Sequence, residues 1–399
     1  MPDRHSKNAA HVIISTTFVS LLAVPAVGPA LSAVQIEFGI QNRDIGWMLM
    51  SSYTLPALLL VPVTGYLADR FGKKLILFPS LVIFGLCGGL VSLASNIETL
   101  ICLRFIQGIG GSALVTLSTA LIPDLFSGSD RIKIMGCVGA TQGIGSGLLP
   151  LVGGLLASIK WFFQFITALI ALPVGIYMLS TLQSLESDLN PKNKHYLYHA
   201  WPHLADRRVI ELCFFTFGFI FVGFGCFVSY KLSFIILSFM NYSFGSGPAL
   251  IGVIISARAI TGALTSVFLV QAMQLFSSRA LIVSSFIILA TGMASLPVVT
   301  GPLGILFSAL CYGAGFGVIR PLIQVHLFEI APKDLRATFS SANGMALRLA
   351  QTLSPFVAGL MIASFDFDLL YYCASSFASV MAILALAGKS LRPSHKPVF

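Results

Sequence analysis

Five basic side chains stand inside long apolar runs of the sequence. They are Arg104, Lys231, Arg258, Arg320 and Arg348. All 15 acidic residues lie instead between the apolar runs or at their edges. A guanidinium group binds carboxylate and phosphate through charge-assisted, often bidentate hydrogen bonds. The five basic residues, with Gln107 one helical turn after Arg104, are therefore candidates for binding an anionic small molecule.

The runs that carry these residues are long enough to cross a lipid bilayer. Apolar residues make up 56% of the 399 residues and charged residues only 10%, whereas a soluble domain carries about 25% charged residues. A helix needs about 20 apolar residues to cross the bilayer. The sequence predicts an all-α membrane protein with twelve transmembrane helices, at residues 12–33, 45–67, 75–95, 99–122, 133–158, 161–181, 209–239, 247–270, 280–298, 301–325, 338–362 and 368–388.

The arginines inside these spans need polar surroundings. An arginine at the bilayer centre costs about 2.5–3.5 kcal/mol on insertion scales. We therefore expect all four to face a wet cavity or polar partners rather than lipid. For any one of them, hydrogen bonds to backbone carbonyls are as reasonable as contact with a substrate. For the four together, a purely structural role is the less favoured interpretation.

The distribution of basic residues predicts the orientation of the chain. With the N-terminus in the cytoplasm, most of the 24 Lys and Arg residues fall on the cytoplasmic side, and only Arg43 and Lys160 fall outside. Cytoplasmic loops retain Lys and Arg, so the net charge of +9 indicates topology rather than nucleic-acid binding. We expect both termini in the cytoplasm, a first half at 1–181, a cytoplasmic linker at 182–208 and a second half at 209–399.

An internal repeat relates the two halves. Shifting the chain by about 205 residues superimposes glycines, prolines and arginines at a constant offset. The pairs are Gly108 and Gly313, Gly110 and Gly315, Arg131 and Arg336, Gly139 and Gly344, Pro150 and Pro355, and Gly154 and Gly359. Parallel repeats of this kind are typical of transporters, in which rocking of one half against the other alternates access to a site between them.

Two glycine motifs indicate moving contacts. The first is the loop GYLADRFGKK between spans two and three. Asp69 lies at the C-terminal end of a helix, where the helix dipole disfavours an anion, so its carboxylate needs a cationic partner. We expect it to act as a gate, formed by Gly65, Asp69, Arg70, Gly72, Lys73 and Lys74. The second lies in span five, where glycines four apart give one smooth helix face for close packing before a proline bend. Its residues are Gly139, Gly143, Gly147, Pro150 and Gly154.

These motifs resemble those of the major facilitator superfamily. GYLADRFGKK is similar to the signature loop of that family, and Arg104, Gln107, Gly108 and Gly110 in LRFIQGIGG resemble a second signature of its efflux branches. GIGSGLLPLVGG resembles the antiporter signature, with Leu149 at the position where that motif has glycine before the proline. The resemblance extends over the whole chain and is greatest to twelve-span bacterial drug/proton antiporters. It implies export driven by proton influx, through a cavity lined mainly by spans one, four, seven and ten.

The span charges differ from those of exporters of cationic drugs, which carry an acidic residue in the first or fourth span. An anion, such as a carboxylate metabolite or siderophore, suits the arginines better, and neutral amphiphiles remain open. If protons are exchanged, the candidates are the substrate's own carboxyl group or Asp44, Asp124 and Glu329.

The sequence thus predicts a secondary transporter, most simply a monomer, with a small molecule, protons and the bilayer as partners. We expect no enzymatic activity, cofactor, metal or nucleic acid. Two alternatives remain: an importer of an organic anion, and a membrane sensor or scaffold without transport.

Overall fold

The computed structural model describes residues 4–41, 44, 46–126, 128–182, 202–224, 247–298, 302–332 and 336–388. Its described part is helical and contains no β-strand. Twelve helices of the described ranges are longer than ten residues: α1 Arg4–Leu21, α2 Ser52–Phe71, α3 Lys73–Leu90, α4 Ile97–Ala120, α5 Gly128–Ile159, α6 Ala171–Leu182, α7 Arg207–Gly223, α8 Gly247–Val267, α9 Ser278–Val298, α10 Pro302–Ile330, α11 Arg336–Ser364 and α12 Phe367–Ala387.

In the part of the chain that the structure describes, ten helical segments are long and apolar enough to cross a membrane, by length and composition. They correspond to all the predicted spans except the first and the seventh, and the prediction of an all-α membrane fold is confirmed.

Helix α7 begins at an N-cap, because the Asp206 carboxylate accepts a hydrogen bond of 2.8 Å from the backbone N–H of Arg208. This bond lowers the pKa of the Asp206 carboxyl group. The rest of the predicted seventh span lies outside the described residues.

The first span is not the continuous helix predicted at 12–33. Helix α1 ends at Leu21, a series of turns follows, and a separate short helix runs over Leu31–Phe38. Pro25 and Pro29 explain the break, because proline has no N–H to donate and its ring clashes with the preceding helical turn. The second span also begins irregularly, with a π-helical turn at Trp47–Ser51 before α2. In both segments the backbone departs from the regular i to i+4 hydrogen-bond ladder of an α-helix.

The described helices fall into two compact units. The first contains α1 to α6 and the start of α8 up to Val253, and the second contains α7, α8 from Ile254 onwards, and α9 to α12. Most of the predicted linker lies outside the described residues, so its limits of 182 and 208 stay predictions.

Glycine contacts repeat inside each unit at the predicted offset. In the first unit a Cβ on Gly108 of α4 would clash with the backbone carbonyl of Tyr53 of α2. In the second unit a Cβ on Gly313 of α10 would clash with the carbonyl of Arg258 of α8. A second pair of contacts has the same offset: Gly110 lies against the Ser80 carbonyl, and Gly315 lies against the Ser285 carbonyl. The repeat read from the sequence therefore describes equivalent helix crossings.

Candidate functional site

Arg104 lies fully enclosed inside the first unit, with no exposed surface. Its Nη1 donates to Gln107 Oε1 at 2.7 Å, and its Nη2 donates to the Ala23 carbonyl at 3.0 Å. Nε and Nη2 both donate to the Leu49 carbonyl, at 3.3 and 3.2 Å. The guanidinium carbon also lies 4.8 Å from the centre of the Tyr53 ring. Arg104 is thus fixed by three acceptors and an aromatic face.

The acceptors of Arg104 come from the two helix irregularities. Ala23 lies in the turns that interrupt the first span, and Leu49 lies in the π-helical turn that begins the second. Buried carbonyl groups without a donor are costly, and Arg104 supplies donors to both. The enclosed Arg104 side chain is occupied by these bonds in this structure, and contact of Arg104 and Gln107 with a substrate stays a prediction.

The second unit contains two arginines, Arg258 and Arg320, whose guanidinium groups lie beside aromatic rings. The Arg258 guanidinium carbon lies 5.2 Å from the Tyr312 ring centre and 5.9 Å from the Phe316 ring centre. The Arg320 guanidinium carbon lies 5.6 Å from the same Phe316 ring. Arg258 Nε is buried without a hydrogen-bond partner, and Arg320 is exposed. Among the described residues no carboxylate forms a salt bridge with either guanidinium.

The crossing of α8 and α10 sets the position of these arginines. Gly313 packs on the backbone of Arg258, and a Cβ on Gly262 would lie 3.1 Å from the Gly313 carbonyl. Gly317 lies against Gly262 in turn. Side chains larger than glycine at these places would separate the helices, so the backbone contact brings Arg258 beside the aromatic face of α10.

A proline adjusts α10 next to the site. Pro321 has no N–H, so the Gly317 carbonyl four residues earlier lacks its usual helical donor. Ser266 Oγ on α8 donates to this carbonyl at 2.6 Å. The bond ties the two arginine-bearing helices together at the point where the α10 ladder is interrupted.

One face of α10 combines aromatic and hydrogen-bonding side chains. Tyr312, Phe316, Arg320 and Gln324 are four residues apart, so they follow one another along a helix face. Phe316 is half-buried, and Gln324 Nε2 is buried without a partner. Sequence reasoning missed Tyr312, Phe316 and Gln324, although their spacing relative to Arg320 was a visible signal. Arg348 is half-buried on α11, and Lys231 lies outside the described residues; the roles of both stay predictions.

The predicted gating loop forms a sharp reversal between α2 and α3. Gly72 has φ of 95°, a conformation that residues other than glycine rarely adopt. Lys73 Nζ donates to the Ala120 carbonyl at the end of α4, at 2.7 Å, where the helix dipole favours a cation. Arg70 lies in the last turn of α2, and Lys74 lies in the first turn of α3. A Cβ on Gly65 would have no atom within 4 Å. The Asp69 side chain is not among those described. The gating role therefore stays a prediction.

The predicted glycine face of α5 is only partly packed. Gly139 and Gly143 have no atoms near the position of a Cβ, whereas Gly147 is buried. The close approach occurs beyond them, where a Cβ on Gly252 of α8 would lie 2.5 Å from the Pro150 carbonyl. The packing expected at Gly139 and Gly143 is thus absent from this structure. Gly154, the last member of the motif, is buried.

The candidate proton-exchanging groups are in different surroundings. Glu329 Oε2 lies 2.9 Å from Nδ1 of His326 on the last turns of α10, and His326 Nε2 is buried without a partner. Asp44 is half-buried, and the Asp124 side chain is not described. Sequence reasoning did not consider His326, although its i,i+3 spacing from Glu329 on a helix predicts contact.

Comparison with known families decides what kind of protein carries this arrangement. The family model of the Major Facilitator Superfamily matches residues 13–232 and again residues 219–398. The chain belongs to this superfamily. The double match agrees with the offset of the glycine contacts, and it makes the protein an integral membrane transporter.

Individual relatives are distant. The chain is 24% identical over 391 residues to multidrug resistance protein 1 of Bacillus subtilis, covering 96% of each chain. It is 31% identical over 159 residues to the bacillibactin exporter of the same species, covering 38% of this chain and 39% of that one. Among solved structures, the nucleoside transporter NupG has a TM-score of 0.74 at 13% identity, covering 96% of this chain and 99% of NupG. This last similarity shows the fold alone.

Proposed function

We propose that this transporter exports a small organic anion from the cytoplasm. The observation that carries the proposal is the pair Arg258 and Arg320, which flank one phenylalanine ring and have no carboxylate partner among the described residues. Two guanidinium groups beside the same ring carry like charges and keep unused donors. A carboxylate-bearing ligand would satisfy both.

The contrast with Arg104 supports this assignment. Arg104 uses its donors on Gln107 and on the carbonyls of Ala23 and Leu49, which is a structural role. Arg258 and Arg320 have no such bonds within the described chain. We therefore assign substrate binding to the second unit rather than to the arginine that matches the family's span-four signature.

The relatives support the direction of transport. Multidrug resistance protein 1 and the bacillibactin exporter are named for resistance and export, and the span-five motif resembles the antiporter signature. A membrane potential of 100 mV, inside negative, also favours the exit of an anion by about 2.3 kcal/mol per charge. Export of an anion is thus favoured by the membrane potential itself.

Alternating access with proton exchange completes the proposal. Glu329, with His326 at hydrogen-bond distance, is the described carboxylate best placed to exchange a proton on α10, the helix that carries Arg320. We propose that Gly139 and Gly143 pack against another helix in a second state of the cycle, since they face open space in this one. The protein would act as a monomer of the plasma membrane with both termini cytoplasmic, and without enzymatic activity.

Two other functions are compatible with the family. An importer of organic anions would use the same arginines, and a sensor would keep the binding site without transport.

The test of the proposed function is the extracellular metabolite profile of cells that produce the parent protein, Arg320→Ala or Lys133→Ala, the last being an exposed control. Export predicts anionic metabolites that accumulate outside with the parent and Lys133→Ala only. Depletion of external anions would indicate import, and an unchanged profile would indicate a sensor.

A further inference from the structure

The α8–α10 site combines two features that together define a ligand class. It presents hydrogen-bond donors that lack acceptors, and it presents aromatic rings beside them. We infer that the transported anions are aryl acids, in which a carboxylate or sulfonate is attached directly to an aromatic ring. This inference rests on the proposed anion export and adds the chemistry that would select among anions.

The unpaired polar atoms of the site are donors. Arg258 Nε and Gln324 Nε2 are both buried without a partner, and the exposed Arg320 forms no hydrogen bond within the described chain. A guanidinium has five N–H donors and no acceptor. A ligand that fills this place must therefore bring several acceptor oxygens and negative charge. A carboxylate or sulfonate group provides both, whereas an amine or ammonium group provides neither.

The aromatic side chains of the site lie next to those donors. Phe316 has guanidinium carbons 5.9 and 5.6 Å from its ring centre, and Tyr312 has one at 5.2 Å. A guanidinium whose flat face rests on a ring keeps its N–H edge free for an anion. The half-buried Phe316 ring still has accessible surface, and aromatic pairs gain affinity beyond the area that they bury.

The two features are close enough to be used by one small molecule. Phe316 touches both guanidiniums, so a ligand bound between Arg258 and Arg320 has its neighbouring atoms against the same ring. A ring attached directly to the acid group places its edge or face there without a flexible spacer. Immobilising a flexible spacer would cost binding free energy, which favours aryl acids over acids with long aliphatic chains.

The experiment compares two carboxylates that share charge and size but differ in their ring. Direct binding of three radiolabelled probes to the purified full-length transporter is measured by equilibrium dialysis: benzoate, cyclohexanecarboxylate and, as the cationic probe, benzylammonium. We expect benzoate to bind about two- to tenfold more tightly than cyclohexanecarboxylate. Phe316→Leu should abolish that preference, while Phe316→Tyr should retain it. Arg320→Gln should weaken both carboxylates at least about tenfold.

The outcomes separate the two levels of the proposal. Equal affinity of the parent for both carboxylates would overturn the aryl-acid inference and leave anion binding intact. An unchanged preference in a monodisperse Phe316→Leu protein would also overturn it. Binding of benzylammonium without either carboxylate, or binding of no probe, would overturn the anion site together with the inference.

Discussion

Tyr53 and Arg258 occupy the same place in the two repeats. The backbone carbonyl of each packs against a glycine of the neighbouring helix, Gly108 in the first unit and Gly313 in the second. Each residue also contributes to an arginine–tyrosine pair. In the first unit the tyrosine is on α2 and the arginine on α4; in the second the arginine is on α8 and the tyrosine on α10. The repeat keeps the contact and exchanges the residue types.

The contacts of Arg104 and the exposure of Arg320 predict effects of different size when each arginine is substituted. Arg104→Ala removes the donors to Ala23 and Leu49, and each buried acceptor left without a partner costs about 1–3 kcal/mol. We expect the unfolding free energy in detergent to fall by about 2–5 kcal/mol. Arg320→Ala should change it by less than about 1 kcal/mol, because Arg320 is exposed. A fully stable Arg104→Ala protein that no longer transports would return Arg104 to the substrate site.

Equivalent crossings should respond equally to equivalent changes. Gly108→Ala and Gly313→Ala each place a Cβ on a backbone carbonyl that cannot move without separating two helices. Both should lower the thermal unfolding midpoint, by amounts that agree within experimental error. Gly344→Ala is the control, because nothing lies near its Cβ position. A large effect at only one of the two crossings would argue against structural equivalence of the repeats.

A larger side chain at an open glycine of α5 should leave folding intact and lower the rate of transport. A Cβ on Gly143 would have no atom within 4 Å, so Gly143→Leu should insert and purify normally while its transport rate falls at least about tenfold. Gly153→Leu, on the same helix, would overlap the Ala26 carbonyl and should fail to fold. Normal transport by Gly143→Leu would show that this face never packs against another helix.

The loop between α2 and α3 should affect rate rather than selectivity. Asp69→Asn keeps the size of the side chain and removes its charge, so an electrostatic contact made in one conformation would weaken. We expect transport of chemically different substrates to fall by a similar factor, with their relative rates unchanged. Lys133→Ala controls for the loss of a surface charge. A change in substrate preference at an unaltered maximal rate would contradict the gating role.

Much of the helical framework was predictable from apolar runs. The spans predicted at 280–298 and 368–388 agree within two residues with α9 and α12, because their ends are marked by polar residues. The first span was wrong in its continuity. Its prolines were visible, but the apolar run continued through them, and hydropathy does not record a missing backbone donor. Helix α10 is also longer than predicted, since its last turn carries polar residues that remain helical.

The functions of the individual arginines were not predictable in the same way. Arg104 and Arg320 both carry a positive charge inside a predicted span, and their tertiary contacts distinguish them. The Ala23 carbonyl lies where the first helix is interrupted, and the Leu49 carbonyl lies in a π-helical turn. Both are far from Arg104 in sequence, so these hydrogen bonds could not be predicted from it. The family signature favours Arg104, whereas the proposed anion site uses Arg258 and Arg320.

Transport of permanently charged probes tests the central claim most directly. Proteoliposomes are loaded with either benzenesulfonate or benzyltrimethylammonium, which cannot cross the bilayer as neutral species. Valinomycin with a K⁺ gradient imposes an inside-negative potential for the anion and an inside-positive potential for the cation. Anion export through the α8–α10 arginines predicts potential-driven release of benzenesulfonate by the parent and by Lys133→Ala, with loss of release in Arg258→Ala and Arg320→Ala. Release of benzyltrimethylammonium but not benzenesulfonate, unaffected by either arginine substitution, would contradict it.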